Sequence, residues 1–134
     1  MTLKDRAMQQ GIETYMSAAL RVLCQKQVEL WQKDRQVEGF AGNTEEVRTI
    51  SFALVAEILE LANELGWKSW KPHQLIDRER VIDEWADCFA FFGTLTAYIL
   101  TQVGVYPEEL IQGYFRKLEE NHRRFDEREK LKHG

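Results

Sequence analysis

The sequence predicts an all-α fold, a four-helix-bundle-like arrangement occupying one domain over residues 1–134. Three observations predict it. The only two prolines, Pro72 and Pro107, sit where apolar periodicity breaks. Between them apolar residues recur at three- and four-residue steps. No internal repeat and no strand-like alternation of useful length interrupts that pattern. A first helix is expected over residues 13–36, carried by Tyr15, Met16, Ala19, Leu20, Leu23, Leu30 and Trp31. Gly39, Gly42 and Asn43 lie in the loop after it, and Thr44 reads as the N-cap of a second helix. Glu45 and Glu46 then fall in its first turn, where the macrodipole favours acids. That helix should reach Leu65 and stop at Gly66, whose missing Cβ suits a left-handed cap. A loop over residues 67–77 leads to a third helix from near residue 78 to about 102, ended by Gly104. Pro107 suits a first helical position, and Glu108 and Glu109 open a fourth helix running to about Lys130.

Composition narrows the function. At 134 residues the chain is too short for separate cofactor and substrate lobes, and 44% hydrophobic residues suffice for a core. A net charge of −4, from 18 basic and 22 acidic residues, argues against a general nucleic-acid or anionic-membrane surface. The longest unbroken apolar runs, such as residues 88–92, fall far short of the roughly 20 residues that span a bilayer, so no membrane partner is expected. The start, MTLKDRAMQQ, lacks a charged-then-apolar signal pattern. Two cysteines, Cys24 and Cys88, make neither a disulfide framework nor a zinc site, so a cytoplasmic location is expected.

The informative segment is ISFALVAEILELANEL, residues 50–65, in which eleven of sixteen residues are apolar. A helix that apolar is expected to be buried on most sides. Into it fall Glu57, Glu60 and Glu64, whose steps of three and four put them on one stripe with Ile50, Ala53 and Leu54. The third helix repeats the pattern, since Glu84 and Asp87 lead into the line of Phe91, Leu95 and Tyr98. No Lys or Arg occurs between Arg48 and Lys68 or between Arg80 and Arg116, so pairs within these helices cannot neutralise the acids. Carboxylates gathered in a partly buried place must protonate or take up a cation. Oxygen-only ligands select hard cations, Mg²⁺ first and Mn²⁺ as a substitute, with positions left for substrate phosphate. Acid pairs also occur on solvated helix faces, and a non-catalytic helical interaction module with an acidic docking surface is the reading that stands beside a metal site.

Two further groups could meet a phosphate. The loop Gly66-Trp67-Lys68-Ser69-Trp70-Lys71-Pro72 interleaves tryptophans with lysines, which can stack a base and hold phosphates, or plug one end of a bundle with the lysines solvated. On the fourth helix Tyr114, Lys117, Asn121 and Arg124 share a stripe that could grip a polyphosphate or simply form exposed ion pairs. Other chemistry finds little support: there is no Gly-rich phosphate loop, and His73, His122 and His133 show no ligand spacing.

Glu57-x-x-Glu60, followed after twenty-three residues by Glu84-x-x-Asp87, resembles the metal motif of the all-α NTP pyrophosphohydrolase superfamily, the MazG-like and dimeric dUTPase enzymes. The stretch LVAEILELANELGWKSWK is similar to the second-helix signature of the dimeric dUTPases, and Tyr114-x-x-Lys117-x-x-x-Asn121-x-x-Arg124 to their C-terminal phosphate motif. The resemblance spans about residues 23–124. It implies that Glu57, Glu60, Glu84 and Asp87 bind Mg²⁺, that Lys71, Lys117, Asn121 and Arg124 hold phosphates, and that Trp70 and Phe91 enclose the base, which Gln25 helps to read. From the loop and the fourth-helix stripe themselves, Lys68 is added to the phosphate side and Tyr114 to the base and sugar side. Ala90 stands where the family typically has a His, Glu29 where an Asn or Asp is usual, and Phe125 where a Gln is common.

The resulting expectation is a Mg²⁺-dependent nucleoside triphosphate pyrophosphohydrolase that converts dUTP or a related deoxynucleotide to the monophosphate and pyrophosphate. Glu57 or Glu60 would orient or deprotonate the attacking water. The alternative substrate, made credible by Ala90 and Glu29, is dCTP or a modified nucleotide. The family forms dimers, and Trp31, Trp67, Trp70 and Trp85 with many Phe offer more aromatic surface than one small bundle buries, so a homodimer is expected.

Overall fold

The computed structural model describes residues 1–72 and 75–133, leaving His73 outside the described residues. It contains four α-helices in the order α1 (Leu3–Arg35), α2 (Thr44–Glu64), α3 (Arg78–Val103) and α4 (Pro107–His133). No strand occurs among the described residues. The chain divides into two compact units, one of Met1–Arg21 with Val105–Gly134 and one of Val22–Gly104.

Helix α1 begins ten residues before the expected start. Its first turns carry apolar residues at helical steps, Leu3, Ala7, Met8 and Ile12, and a reciprocal cap: the Thr2 N–H donates to Asp5 Oδ2 (3.2 Å) and the Asp5 N–H to Thr2 Oγ1 (3.0 Å). Two donors that would be orphaned at the helix start are thereby satisfied. The helix ends through Gln36, which adopts a left-handed φ of 57°, with the Val37 N–H reaching back to the Gln32 carbonyl at 3.1 Å. At α2 the N-cap is Asn43 rather than Thr44. The Asn43 side chain accepts from the Glu46 N–H at 2.9 Å, leaving Thr44 as the first helical residue. Gly66 (φ 70°) and Gly104 (φ 77°) terminate α2 and α3 as their sequence positions predict.

Within the Val22–Gly104 unit, α3 is the central element. Gly93 lets α1 approach closely, since a Cβ there would stand 2.7 Å from Leu23 Cγ and 3.0 Å from Gln27 Cγ. Tyr98, 1% exposed, is the most buried large side chain. Its ring stacks on Phe40 (5.0 Å, 10°), and its hydroxyl donates to Glu46 Oε2 at 3.2 Å. Phe40 in turn meets the edge of Trp31, which carries the Arg35 guanidinium 4.3 Å from its ring centroid. This aromatic cluster anchors the α1–α2 loop onto α3.

An 18-residue window of α3 reaches a mean hydropathy of 1.2, so by length and composition alone the helix could cross a membrane, a property the core helix of a bundle shares. Its buried residues, Gly93, Thr94, Thr96, Ala97 and Tyr98, include small and polar side chains suited to close helix contacts. Helix α2 departs from expectation, because none of its residues is fully buried. It packs on α3 alone among the helices that contact it broadly. Phe52, Val55 and Leu59, on another face, remain 67%, 54% and 55% exposed.

In the other unit, the first part of α1 and the start of α4 are joined by Arg21 Nη2 and Glu108 Oε1, 2.6 Å apart. The Glu108 carboxyl is held below its ordinary range by its own backbone N–H and then by Arg21. Pro107, the first residue of α4, is buried, and the Tyr106 N–H donates to Glu109 Oε1 at 3.1 Å, completing that helix start.

Candidate active site

Helices α2 and α3 run antiparallel, as the cross-helix approaches of Glu46 to Tyr98, Glu57 to Glu84 and Glu64 to Arg80 require. This register brings the two acid pairs together. Glu57 and Glu60 of α2 and Glu84 of α3 each offer a carboxylate oxygen, and these oxygens lie within 4.8 Å of one another. Glu57 and Glu84 are half-buried, whereas Glu60 is exposed. Oε2 of Glu57 and Oε2 of Glu84 are buried without a hydrogen-bond partner among the described residues. Acceptors therefore face acceptors with no donor between them, an arrangement that demands either a proton or a cation.

The electrostatics express the same demand. Burial pushes the Glu57 carboxyl above its ordinary range, followed by the charges of Glu60 and Asp87. Glu84 is raised by burial and then by Glu60, Glu57 and Asp87. Asp87 is exposed and outside the 4.8 Å set, yet near enough for its charge to act on both. The donor set fits a hard divalent cation: oxygens only, drawn from two rigid helices, with two buried acceptors unpaired. Glu64, the third acid of the α2 stripe, does not join them. Arg80 Nη1 lies 3.8 Å from its Oε1, so the acid row is partly neutralised across helices although no basic residue shares its own helix.

The Trp–Lys loop directly follows α2 in the same unit. The Trp67 indole N–H donates to Asn63 Oδ1 at 2.7 Å, and Trp70 packs against Trp67 edge-to-face at 5.4 Å. Lys68 Nζ sits 5.7 Å from the centroid of the Trp67 ring. Asn63, Trp67, Lys68, Ser69 and Lys71 line a cavity of about 550 Å³. Trp70 itself is 70% exposed. Phe91 is half-buried two turns beyond Glu84 on α3, and Gln25 is exposed on α1.

Tyr114, Lys117, Asn121 and Arg124 belong to α4, in the other unit. Tyr114 meets the edge of Phe115 at 5.2 Å, and Lys117 Nζ pairs with Glu120 Oε2 at 3.4 Å. Asn121 and Arg124 line an open groove with Glu127 and Arg128.

Two residues of the acidic neighbourhood escaped the sequence reading. Cys88 is half-buried, and its thiol is raised by burial and then by the charges of Glu57, Glu84 and Asp87, which keeps it protonated beside the cluster. Arg80 is the other. Its position one turn before Glu84 on α3 was the available signal. A family model described as dUTPase matches residues 19–99, more than half of the chain. No curated protein and no solved structure matches.

Proposed function

We propose that this chain, which belongs to the dUTPase family of MazG-like, all-α NTP pyrophosphohydrolases, hydrolyses dUTP or a closely related deoxynucleoside triphosphate in the presence of Mg²⁺. Family membership supports a dUTPase-like nucleotide hydrolase at the general level. The single observation that carries the specific reading is the convergence of Glu57, Glu60 and Glu84 with two buried, unpartnered oxygens.

Glu57, Glu60 and Glu84 would hold the divalent cation, with Asp87 completing the set. When bound, Mg²⁺ supplies charge neutralisation for phosphate oxygens and lowers the cost of placing a polyanion beside four acids. Glu60, which is exposed, or half-buried Glu57 accepts a proton from the attacking water. Water adds to the α- or the β-phosphorus, the bond from that phosphorus to the oxygen bridging the two breaks, and monophosphate and pyrophosphate leave.

Lys68 and Lys71 are assigned to phosphate oxygens, with Trp70, Phe91, Gln25 and Tyr114 assigned to the base and sugar. Lys117, Asn121 and Arg124 on α4 carry the phosphate assignment through their chemistry and the sequence resemblance alone, because the family match ends at residue 99. A homodimer belongs to the same proposal. Phe52, Val55 and Leu59 on α2 and Trp85, Phe89 and Phe92 on α3 leave apolar stripes open that a second copy would cover.

The test is a product screen over dUTP, dCTP, dTTP and purine triphosphates with Mg²⁺ present and absent, on wild type and Glu60→Gln. The expected outcome is metal-dependent pyrophosphate release from a deoxypyrimidine triphosphate, reduced about 100-fold or more in the variant with helicity retained. Full activity of Glu60→Gln, or metal-independent turnover, refutes the reading.

A further inference from the structure

Arg80, in the Val22–Gly104 unit, approaches Glu64 beside the proposed metal site. Glu84 lies one turn further along α3, and Glu60 one turn before Glu64 on α2, so the Arg80–Glu64 approach is the rung next to the carboxylate cluster. On the loop side, Asn63 and Leu65, the residues flanking Glu64, both line the cavity that contains Lys68 and Lys71. The rung thus lies one turn from the carboxylate cluster, and the chain neighbours of Glu64 stand on the cavity wall.

The guanidinium is held there without being consumed. Its Nη1 is 3.8 Å from Glu64 Oε1 and its Nε 3.9 Å from Asp77 Oδ2. Both distances exceed hydrogen-bonding range, and among the described residues no acceptor takes any of its side-chain N–H groups. Asp77 is itself fixed, because its Oδ1 caps α3 by accepting from the Glu79 and Arg80 N–H groups at 3.1 and 3.3 Å. The side chain is 70% exposed, whereas Glu64 beneath it is only 26% exposed. Two loose carboxylates thus aim a planar five-donor fork while leaving its hydrogen bonds unspent.

The geometry points to Arg80 as a substrate-binding residue that exchanges its loose contact with Glu64 for phosphate oxygens of the bound nucleotide or of the pyrophosphate product. Charge-assisted, bidentate contacts to phosphate are stronger than ion pairs near 4 Å in an exposed setting, so the exchange runs toward the ligand. Glu64 is then a competitor for the guanidinium, and it aims the fork when no ligand is present.

This inference rests on the proposed nucleotide hydrolysis, and the experiment separates the two. Binding of inorganic pyrophosphate with Mg²⁺ is measured by calorimetry, alongside KM and kcat for the nucleotide turned over by wild type. Wild type, Arg80→Ala, Arg80→Lys and Glu64→Gln are compared, each with its melting temperature. Arg80→Ala is expected to weaken pyrophosphate binding and raise KM about tenfold or more, and Arg80→Lys to fall between it and wild type. Glu64→Gln is expected to bind pyrophosphate as tightly as wild type or more tightly. A merely structural ion pair predicts instead that Arg80→Ala and Glu64→Gln behave alike, because each removes the same rung. That outcome, or unchanged pyrophosphate binding in Arg80→Ala, overturns the role of Arg80 while leaving the hydrolysis reading intact. Failure of wild type to hydrolyse any triphosphate overturns both.

Discussion

Replacing Glu57 by Gln should move fold stability and metal binding in opposite directions. Glu57 and Glu84 are both held above the ordinary carboxylate range, by burial first and by neighbouring carboxylates second. A carboxyl whose folded pKa exceeds its unfolded value binds its proton more tightly in the folded chain. Its stabilising contribution is complete below the unfolded value and is lost as pH rises through the folded one. In the metal-free protein these two groups therefore favour the fold at the acid end of the carboxylate range and cease to do so toward neutrality. Magnesium competes with those protons for the same oxygens, so binding within that window expels them. The two raised groups contribute up to two of the protons released per site. Above the raised values the release falls to zero, and below the ordinary range protonation excludes the metal. Glu57→Gln removes one raised acid, so proton release per metal bound falls, the decline of metal-free stability with pH becomes shallower, and Mg²⁺ affinity falls.

The assay is calorimetric titration with MgCl₂ in two buffers of different ionisation enthalpy, stepped from the carboxylate range to neutrality, with thermal unfolding of the metal-free protein at each step. Asp5, held low by the Thr2 hydroxyl and then the Thr2 backbone, and Glu108, held low by its own backbone and Arg21, act with the opposite sign. The difference between wild type and Glu57→Gln is therefore the readout. Zero proton release across the window, or identical stability–pH curves for the two proteins, refutes the account of the cluster.

Other consequences are as direct. Gly42→Ala should destabilise the fold by about 1–3 kcal/mol in denaturant titration, the usual range for overpacking. Its Cβ would collide with the ring of Tyr98, which is 1% exposed and stacked on Phe40. Phe89→Glu should turn the proposed dimer into a monomer by light scattering while keeping its circular dichroism. Phe89 is 44% exposed and stacked on Trp85 at 4.9 Å, so a charge there would have to be desolvated by a second copy; a dimer that persists, or a wild type that is monomeric, removes that face from the interface.

Local signals were legible in the amino-acid order because their physics is local. Gly66, Gly104 and Pro107 mark helix ends through their own backbone preferences, and the three-residue steps Glu57/Glu60 and Glu84/Asp87 fix shared faces whatever lies opposite. The opening turns of α1 were legible too, in the Thr2-x-x-Asp5 cap and the steps Leu3, Ala7, Met8 and Ile12, and the expected start at residue 13 passed over both. Which acids converge was a different matter. The stripe offered Glu57, Glu60 and Glu64 alike, and only the antiparallel register of α2 on α3 set Glu57 and Glu60 against Glu84 and Glu64 against Arg80. That register is decided by packing between segments separated by a loop, with Tyr98 seated against Phe40 and Glu46 at one end and Arg80 reaching Glu64 at the other. Helical spacing sets the angle of a side chain about its own axis; the neighbour it meets depends on how two helices slide along each other, which no single helix encodes.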